Sequence, residues 1–369
     1  MRLLVCAGMT GGGVYPALAV LQALENKTDS VLWVGSRSGM EANLLSRYQF
    51  PYTSISAAGM HGIDLKRLPK NSLELINGWR ESRAILKQFN PDVIFYTGGY
   101  VGVPMAIAAR KIPSVVFIPD IEPGFALKII TRLTNSIAVS TRASLPFIHR
   151  KELVRITGYP LRKEIKEWTQ KKGRNHFNIP ENAKALFVYG GSKGARSINQ
   201  ALTPILGKLL DHMHVIHLTG EDNWEDFQKD PNVRKSLKSQ KYHLFPFLHA
   251  DMGAAFSAAD LVVCRAGAST IGELPFFGLP AILIPYPHAW RYQYQNATFL
   301  ATNGGAEIIR DENLSHELFG KIMQIFNDEK KINLMKKKMQ LISVEGASHS
   351  IAKQILEVGQ AMREGGGEK

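Results

Sequence analysis

The chain has few cysteines and no long apolar run. Its 369 residues include only two cysteines, Cys6 and Cys264, each inside a short apolar run typical of a buried strand. This argues against a disulfide framework and fits a reducing cytoplasm. No segment approaches the roughly 20 uninterrupted apolar residues of a membrane-spanning helix, and the N-terminus begins with a strand pattern rather than a signal peptide. We therefore expect a protein that is neither inserted in a membrane nor exported.

Several signatures of nucleotide and metal chemistry are also missing. The glycine-rich turn at 190–194 is too short for a Walker loop, and Lys193 is not followed by Ser or Thr. The turn at 8–13 is not a clean G-x-G-x-x-G, and no acidic residue closes the second strand at 34–36. We find no His/Cys metal spacing and no Asp-x-Asp pair. These absences argue against a phosphate hydrolase and a dehydrogenase, and they predict a site that uses no metal and no cofactor.

Short apolar runs and helical patterns alternate through both halves of the chain. With 45% hydrophobic and 21% charged residues, the composition is that of a soluble globular protein. Strands are predicted at 3–6, 30–34, 93–96, 114–118, 136–139 and 154–156, and again at 185–189, 214–218, 243–245, 261–263, 281–284 and 306–309. Helices are predicted at 16–25, 40–47, 103–109, 163–170, 196–210, 252–258, 270–276 and 293–301, with helix to the end after 313. This alternation predicts two α/β domains with doubly wound parallel sheets.

Four glycine-bearing turns follow predicted strands, at 8–13, 98–102, 190–194 and 265–270. In an open α/β sheet such turns lie at the carboxyl ends of strands, where ligands bind, and the amide groups of the following helix face an anion. One such turn alone is a weak signal, because its glycine can serve merely to permit a tight βα connection. Four in corresponding places of two halves predict two nucleotide-binding-type domains that face a shared cleft.

The chain is strongly basic, with a net charge of +13, and residues 1–160 hold 18 Lys and Arg against 10 Asp and Glu. The stretch 65–87 interleaves basic and apolar side chains, and its candidate membrane residues are Leu75, Trp79, Arg80 and Arg83. Such a patch is how a peripheral protein rests on an anionic membrane. The alternative is an amphipathic helix packed on its own sheet with a solvated basic side.

Two segments of the second half carry candidate ligand-binding side chains. Thr270 and Glu273 have the spacing of a capping box, in which Glu273 would only hold its own helix start. The alternative, which we favour, is that Glu273 accepts hydrogen bonds from sugar hydroxyls beside a phosphate bound at the 266–269 turn. The loop 285–296 is rich in amides, aromatic rings and basic groups, which suits carbohydrate, and His288 there is a candidate base or a plain surface residue.

Taken in order, these motifs resemble the MurG family of N-acetylglucosaminyltransferases over nearly the whole chain. The segments that carry the resemblance are 10–20, 98–104, 158–162, 190–195, 265–273 and 293–297. The resemblance implies a GT-B fold, with two Rossmann-like doubly wound domains. It implies domains at 1–160, on the acceptor and membrane side, and at 161–346, binding UDP-GlcNAc. A C-terminal helix at about 347–363 would pack back on the first domain.

The resemblance also implies inverting transfer of GlcNAc from UDP-GlcNAc to the muramyl 4-hydroxyl of undecaprenyl-linked lipid I, forming lipid II for peptidoglycan on the inner membrane face. Glu273 would take the ribose hydroxyls, the 268–270 turn the diphosphate, Gln293 the GlcNAc, and Phe247, Leu248 and Met252 the uracil. The full donor set is Thr10, Gly11, Gly12, Arg162, Gly191, Ser192, Leu248, Met252, Ala268, Ser269, Thr270, Glu273 and Gln293. The acceptor side is Gly13, Tyr15, Gly99 and Tyr100.

Three positions depart from the family pattern. Gly13 stands where the family usually has a histidine, residues 118–121 replace a His-Glu-Gln-Asn segment, and Tyr292 replaces a glutamine. Transfer to a hydroxyl needs a base, and the nearest carboxylates to the replaced segment are Asp120 and Glu122. We predict Asp120 as the base, with Glu122 as the second choice. The alternative is that 120–124 is only a polar turn.

Other functions remain possible at this point. The chain could be a GT-B enzyme for another lipid acceptor, such as a diacylglycerol or a polyprenyl-linked sugar. It could also be a UDP-sugar-binding protein without catalysis. Nucleic-acid binding is the weakest option, because no basic strip accompanies a recognised nucleic-acid module. We expect a peripheral enzyme on the cytoplasmic face of the cell membrane.

Overall fold

The computed structural model describes residues 1–8, 11–25, 27–37, 45, 48–57, 68–288 and 292–365. The chain divides into two compact units, the first formed by Met1–Arg162 and Val344–Lys369 and the second by Lys163–Ser343. Each unit is built on one parallel sheet. The structure thus has the two doubly wound α/β domains that the alternating pattern predicts. The predicted helix at 40–47 lies almost wholly outside the described residues.

The first sheet has the strand order β3-β2-β1-β4-β5-β6-β7. Its strands are β1 Arg2–Cys6, β2 Ser30–Ser36, β3 Tyr52–Ile55, β4 Val93–Tyr96, β5 Ser114–Ile118, β6 Ser136–Val139 and β7 Val154–Ile156. Its helices are Gly11–Ala23, Leu68–Phe89, Gly102–Ala108, Phe125–Leu133 and the C-terminal Ala347–Gly365, with 3-10 turns at Arg142–Phe147 and Lys151–Leu153. The central strands are continuous apolar runs because helices cover both faces of a parallel sheet.

The second sheet repeats the arrangement in the order β10-β9-β8-β11-β12-β13. Its strands are β8 Ala185–Tyr189, β9 His214–Leu218, β10 Tyr242–Phe245, β11 Leu261–Cys264, β12 Ala281–Leu283 and β13 Ala306–Ile308. The α-helices are Lys163–Lys166, Gln170–His176, Arg196–Leu202, Leu206–His212, Trp224–Lys229, Pro231–Ser236, Met252–Ala258, Thr270–Phe277, Tyr292–Thr302, Leu314–Asn327 and Glu329–Leu341. Short 3-10 turns lie at Thr203–Ile205, Glu221–Asn223 and Asp311–Asn313.

In both sheets the first strand of the unit lies in the interior, and the order reverses beside it. β1 lies between β2 and β4, and β8 lies between β9 and β11. Ligands of open α/β sheets bind beyond the carboxyl ends of the strands at this point of reversal. The glycine-bearing turns at 8–13, 98–102, 190–194 and 265–270 follow β1, β4, β8 and β11, so they lie where the fold favours a ligand.

The C-terminal helix Ala347–Gly365 belongs to the first unit, although the second unit precedes it in the chain. Ile351 and Ile355 are fully buried, and the helix packs against Gly11–Ala23 and strands β4 to β6. Two polar contacts accompany this packing: the Gln354 amide donates to the Ser136 hydroxyl, and the Ser348 hydroxyl donates to the Leu161 carbonyl at 3.3 Å. The helix therefore fixes the end of the chain on the first sheet.

Three predicted helices have different bounds in the structure. The first begins at Gly11 rather than 16 and so includes the glycine turn. The predicted helix at 196–210 is interrupted by the 3-10 turn at Thr203–Ile205, where Pro204 provides no amide hydrogen. The predicted helix at 163–170 is the short Lys163–Lys166, and a new helix begins at Gln170 with the Thr169 side chain as its cap. β3 was not predicted.

Candidate functional site

The first unit gathers its predicted residues at the carboxyl ends of three neighbouring strands. β1 pairs with β4 and β4 with β5, so the chain leaves the sheet at Gly8, Gly98 and Pro119 side by side. Gly99 lies against Gly8, where an added Cβ would be 3.0 Å from the Gly8 carbonyl oxygen. The Thr97 hydroxyl donates to the Gly13 carbonyl at 2.6 Å. We call this the first-unit site: Gly11, Gly12, Gly13, Tyr15, Gly99, Tyr100, Asp120, Glu122 and Arg162. Thr10 lies outside the described residues.

Asp120 and Glu122 differ in their surroundings. The Glu122 side chain is only 1% exposed, and its carboxylate accepts from the Lys128 ammonium at 2.9 Å. Asp120 is partly exposed on the preceding turn, which the Ser140 hydroxyl secures by donating to the Pro119 carbonyl at 3.1 Å. A base must be reachable by the acceptor hydroxyl. The geometry therefore favours Asp120 over Glu122 for that role, which stays a prediction.

Tyr100 and Arg162 complete the first-unit site. Burial raises the pKa of the Tyr100 phenol above its usual value, so Tyr100 stays a neutral hydroxyl that can donate a hydrogen bond. Arg162 is the last residue of Met1–Arg162, the first of the two chain segments that form this unit, and it is 7% exposed. Its guanidinium lies over the Tyr15 ring, 4.3 Å from the centroid. The sequence pattern gave no sign of this contact, because 147 positions separate the two residues.

The second unit places two glycine turns beside each other. β8 pairs with β11, with Tyr189 opposite Cys264, so the turns at 190–194 and 265–270 leave adjacent strands. The first turn closes through the Gly194 amide, which donates to the Gly191 carbonyl at 3.0 Å. We call this the second-unit site: Gly191, Ser192, Leu248, Met252, Ala268, Ser269, Thr270, Glu273 and Gln293. Ala268 and Ser269 form the turn that enters the helix Thr270–Phe277.

The structure does not form the capping box that was the alternative interpretation of Thr270 and Glu273. Ser269 is the cap position and makes no side-chain cap hydrogen bond, while the Thr270 hydroxyl donates to the Gly267 carbonyl at 2.6 Å. The helix starts one residue earlier than the motif requires, so Thr270 is already helical. The Glu273 side chain lies in the first turn of this helix and is buried. The pKa of Tyr189, at the end of β8, is raised first by burial, then by Cys264 and then by the charge of Glu273. Glu273 therefore acts on the end of that strand.

Arg265 is the first residue of the second turn, and its side chain holds neighbouring elements together. Its guanidinium is buried, pairs with Asp311, and donates to the Ser197 hydroxyl at 2.7 Å. It also donates to the Ile284 carbonyl at 3.2 Å. These contacts join the ends of β11 and β12 to the helix after the first turn. The charge of Arg265 is thus committed to holding the two turns together.

The remaining predicted donor residues line the same end of the second sheet. Leu248 and Met252 are buried, and Phe247 is half-buried just before them. The Gln293 amide oxygen accepts from the Tyr286 backbone amide at 2.9 Å, so Gln293 fixes the loop after β12. Asn296, one turn later, is fully buried and donates to the Ala266 carbonyl at 3.1 Å. The predicted sugar-binding loop is therefore tied to the 265–270 turn. His288 is exposed beside Tyr286.

A buried polar network supports the 190–194 turn from behind. The His217 ring is fully buried between the Tyr242 hydroxyl, at 3.0 Å, and the Asn199 amide oxygen, at 3.1 Å. Asn199 also donates to the Thr219 carbonyl at 2.9 Å. Gly194 packs so closely on Thr219 that an added Cβ would be 1.9 Å from the same carbonyl. The network thus sets the position of the turn through Thr219.

Two histidines, His217 of this network and His243 of β10, predict that the second unit loses stability in acid. Burial lowers the pKa of His217 to about 3, and burial followed by the charge of His214 lowers that of His243 to about 4. The unfolded chain binds these protons near pH 6.5, so stability is complete above that pH and falls as the pH decreases toward the folded pKa values. For His217 the loss is about 1.4 kcal/mol per pH unit. Thermal melts between pH 7.5 and 4.5 should show this decline.

The matched variant is His217→Gln, whose amide takes up no proton. Its melting temperature should depend less on pH than that of the unchanged chain, whatever its stability at pH 7.5. An equal pH dependence in the two proteins would show that His217 is not the group that takes up the proton.

The described residues contain neither a cluster of metal-ligating side chains nor a membrane-spanning helix. In that part of the chain, no group of three or more His, Cys, Asp or Glu side chains is arranged to hold a metal ion. No helix within the described ranges combines the length and the apolar character needed to cross a bilayer. Cys6 and Cys264 are both buried free thiols. Burial, strengthened by the nearby Glu273 charge, raises the pKa of Cys264 to about 12, so this thiol stays protonated.

Comparison with known proteins gives the family. Residues 3–139 match the N-terminal domain of glycosyltransferase family 28, and residues 185–355 match its C-terminal domain. A curated relative from Desulforamulus reducens is 34% identical over 96% of this chain and 97% of its own length. One from Thermodesulfovibrio yellowstonii is 33% identical over 98% and 99%. Both are named UDP-N-acetylglucosamine–N-acetylmuramyl-(pentapeptide) pyrophosphoryl-undecaprenol N-acetylglucosamine transferase. The chain belongs to the MurG family.

A solved structure of the MurG from Acinetobacter baumannii has the same fold. It superimposes with a TM-score of 0.75, at 24% identity, and the match covers 96% of this chain and 99% of that one. The fold is therefore GT-B, and the chain is a hexosyltransferase of the MurG family. The resemblance that the ordered motifs indicate is confirmed.

Gly13 stands where the family resemblance leads us to expect a histidine, and the structure has space for a Cβ there. A Cβ built there would lie 3.6 Å from the Gly8 and Thr97 carbonyl oxygens, which is ordinary contact. The Cβ atom of a histidine at this position would lie no closer than 3.6 Å to these backbone oxygens. The backbone thus leaves room for a Cβ at this position.

Proposed function

We propose that this protein transfers GlcNAc from UDP-GlcNAc to the muramyl 4-hydroxyl of undecaprenyl-linked lipid I, with inversion, and so forms lipid II for peptidoglycan. The observation that carries the proposal is identity of about one third, over nearly the full length, to relatives named for this reaction. The two sites described above supply the parts that such a transfer needs: amide groups at helix starts for phosphates, and carboxylates near an acceptor.

The second-unit site is the proposed place for UDP-GlcNAc. Glu273 is buried at the start of its helix, where a carboxylate can accept hydrogen bonds from ribose hydroxyls. The Ala268–Thr270 turn offers amide groups to the diphosphate, and Leu248 and Met252 offer an apolar wall to the uracil. In this proposal Gln293, whose amide oxygen accepts from the Tyr286 backbone amide, binds the GlcNAc. The first unit takes the acceptor side.

The leaving UDP carries its negative charge on phosphate oxygens. Helix amide groups together with Arg162 stabilise that charge in this proposal, and no metal ion is needed for the step. Asp120 removes the proton from the attacking hydroxyl, whose oxygen bonds to the anomeric carbon as the bond to UDP breaks. Attack from the face opposite to the leaving group inverts the configuration.

An acceptor panel tests the choice of substrate. UDP release from UDP-GlcNAc is followed with a lipid I analogue, with a diacylglycerol and with a polyprenyl-linked monosaccharide, each in the same detergent. The proposal expects release with the lipid I analogue alone. Release with another lipid would point to a GT-B enzyme of different acceptor, and binding of UDP-GlcNAc without release would point to a sugar-nucleotide-binding protein.

We also propose that the helix Leu68–Phe89 contacts an anionic membrane on the cytoplasmic face. Gly78, Ser82 and Leu86 form its buried side, and the helix packs against the helix Gly102–Ala108 and β3. Its opposite side exposes Leu73, by 62%, and Ile76, by 48%, followed by the basic residues Arg80, Arg83 and Lys87. Leu75 and Trp79, the predicted apolar members, are half-buried, and Arg83 lies 5.1 Å from the centre of the Trp79 ring. The helix therefore packs on its own unit and still presents an apolar, basic face.

Removing the exposed apolar side chains should weaken membrane binding. We expect the double variant Leu73→Ser, Ile76→Ser to bind vesicles with phosphatidylglycerol at least about 30-fold more weakly, because each inserted side chain contributes about 1–2 kcal/mol and about 1.4 kcal/mol is a factor of ten. Sedimentation with vesicles measures this. The matched control is Leu334→Ser, Leu341→Ser on the lysine-rich helix Glu329–Leu341 of the second unit, where both leucines are exposed. Equal losses in both variants would remove the assignment to Leu68–Phe89.

A further inference from the structure

The cation at Arg162 is held by two aromatic side chains from distant parts of the first unit. The Tyr15 ring lies under the guanidinium, with the Cζ atom 4.3 Å from the ring centre. From another side, the Arg162 Nη1 atom donates to the Tyr48 hydroxyl at 3.3 Å. Stacking on an aromatic face fixes the plane of a guanidinium and leaves its edge free to donate hydrogen bonds.

The edge of Arg162 has an unused donor. The residue is more than nine-tenths buried, yet its Nε atom has no hydrogen-bond partner among the residues that the structure describes. Within the same residues, no carboxylate forms an ion pair with it. A buried donor without a partner is unfavourable, and a buried unpaired charge is more so. An anion with planar or tetrahedral oxygens would satisfy both needs, because the guanidinium fork matches phosphate.

The first glycine turn makes room for this arrangement. Tyr15 lies one turn into the helix Gly11–Ala23, and a Cβ on Gly11 would be 2.8 Å from the Tyr15 Cε2 atom. Glycine at position 11 therefore lets the ring lie beside the helix start, under Arg162. Gly11 at the helix start, the Tyr15 ring and the Arg162 guanidinium are therefore in contact one after the other.

We infer that Tyr15 and Tyr48 are positioning residues, which hold the Arg162 guanidinium in place for the oxygens of a diphosphate. This inference deepens the proposed function and rests on it for the identity of the ligand. Both substrates of that reaction carry a diphosphate, the donor in UDP and the acceptor in its undecaprenyl linkage. Tyr15 acts on either of them through Arg162 and takes no part in proton transfer.

Steady-state kinetics with the full chain tests the inference. Tyr15→Leu should raise KM for one of the two substrates by about 5- to 30-fold, as expected for loss of a buried cation–π contact, with a smaller change in kcat. Tyr15→Phe keeps the ring face and should recover most of that affinity. A rise in KM for UDP-GlcNAc identifies the donor diphosphate, and a rise for the lipid I analogue identifies the acceptor diphosphate.

A double-mutant cycle separates positioning from packing. Arg162→Lys removes the planar fork, so Tyr15→Leu should have little further effect on KM in that background. Additive effects, or equal losses in Tyr15→Leu and Tyr15→Phe, would overturn the inference. If Tyr15→Leu lowers the melting temperature strongly, Tyr48→Phe serves as the second variant, since it removes only the hydroxyl. Its KM should rise less than that of Tyr15→Leu for the same substrate, and no rise would remove Tyr48 from the role.

Binding measurements keep this test independent of turnover. Calorimetry with UDP and with inorganic diphosphate should show weaker binding of at least one of them by Tyr15→Leu than by the unchanged chain. Absence of turnover in the unchanged protein would count against the proposed function alone. Equal affinities for both probes in Tyr15→Leu and the unchanged chain, together with unchanged KM values, would count against the positioning role.

Discussion

Replacing Asp120 by Asn is expected to lower kcat by about 10²- to 10⁴-fold, with little change in KM for UDP-GlcNAc, because a general base contributes a factor of this size. The side chain is partly exposed at the end of β5, and the substitution keeps its shape. Turnover with the lipid I analogue measures the effect. The melting temperature should stay close to that of the unchanged protein.

Glu122→Gln is the matched control, and the structure predicts the opposite pattern for it. The Glu122 carboxylate is buried and pairs with Lys128, so the substitution removes a buried ion pair. Because Lys128 is partly exposed, we expect a loss of about 1–2 kcal/mol, equivalent to a few degrees in the melting of the first unit. Loss of turnover in Glu122→Gln together with full activity in Asp120→Asn would reverse the assignment.

Replacing Glu273 by Gln is expected to raise KM for UDP-GlcNAc by about 10- to 100-fold. Hydrogen bonds from ribose hydroxyls to a carboxylate are worth more than those to an amide, and the buried site leaves no water to replace them. Binding of UDP by calorimetry should weaken by a similar factor, while the KM for the lipid I analogue should stay nearly constant.

Two comparisons make the Glu273 prediction specific. UDP and uridine should lose similar factors, because both carry the ribose. Inorganic diphosphate should bind the variant and the unchanged protein alike. If Glu273→Gln bound UDP as tightly as the unchanged chain, Glu273 would be a residue of the helix interior without a role in recognition.

The fold could be predicted in most of its elements because the strands are short, continuous apolar runs separated by glycine turns. β3 was missed because Tyr52–Ile55 is half polar. It is the edge strand of its sheet and pairs with only one neighbouring strand, so packing constrains its residues less. The start of the first helix was placed too late because Gly11, Gly12 and Gly13 have poor helix propensity. Their position is decided by the packing of the turn against Gly8 and Thr97, which local patterns do not contain.

The candidate site divides in the same way. The glycine turns and the segment around Glu273 could be found from the sequence, since each follows a strand at a fixed spacing. The partners of Arg162 could not, because Tyr48 lies 114 positions away and no periodicity joins them. Arg265 was part of a predicted motif, but its pairing with Asp311 depends on a residue 46 positions later. Long-range polar contacts of this kind are set by the folded sheet and not by the local sequence.

UDP release from UDP-GlcNAc by the purified protein in EDTA, with and without a lipid I analogue, tests the central claim most directly. The account predicts release that depends on the acceptor and is insensitive to EDTA, because the proposed mechanism assigns stabilisation of the leaving diphosphate to helix amides and Arg162 rather than to a metal ion. The same assay with Asp120→Asn should show almost none. Tight binding of UDP-GlcNAc without release in the presence of the acceptor, or release that stops when EDTA is added, would contradict it.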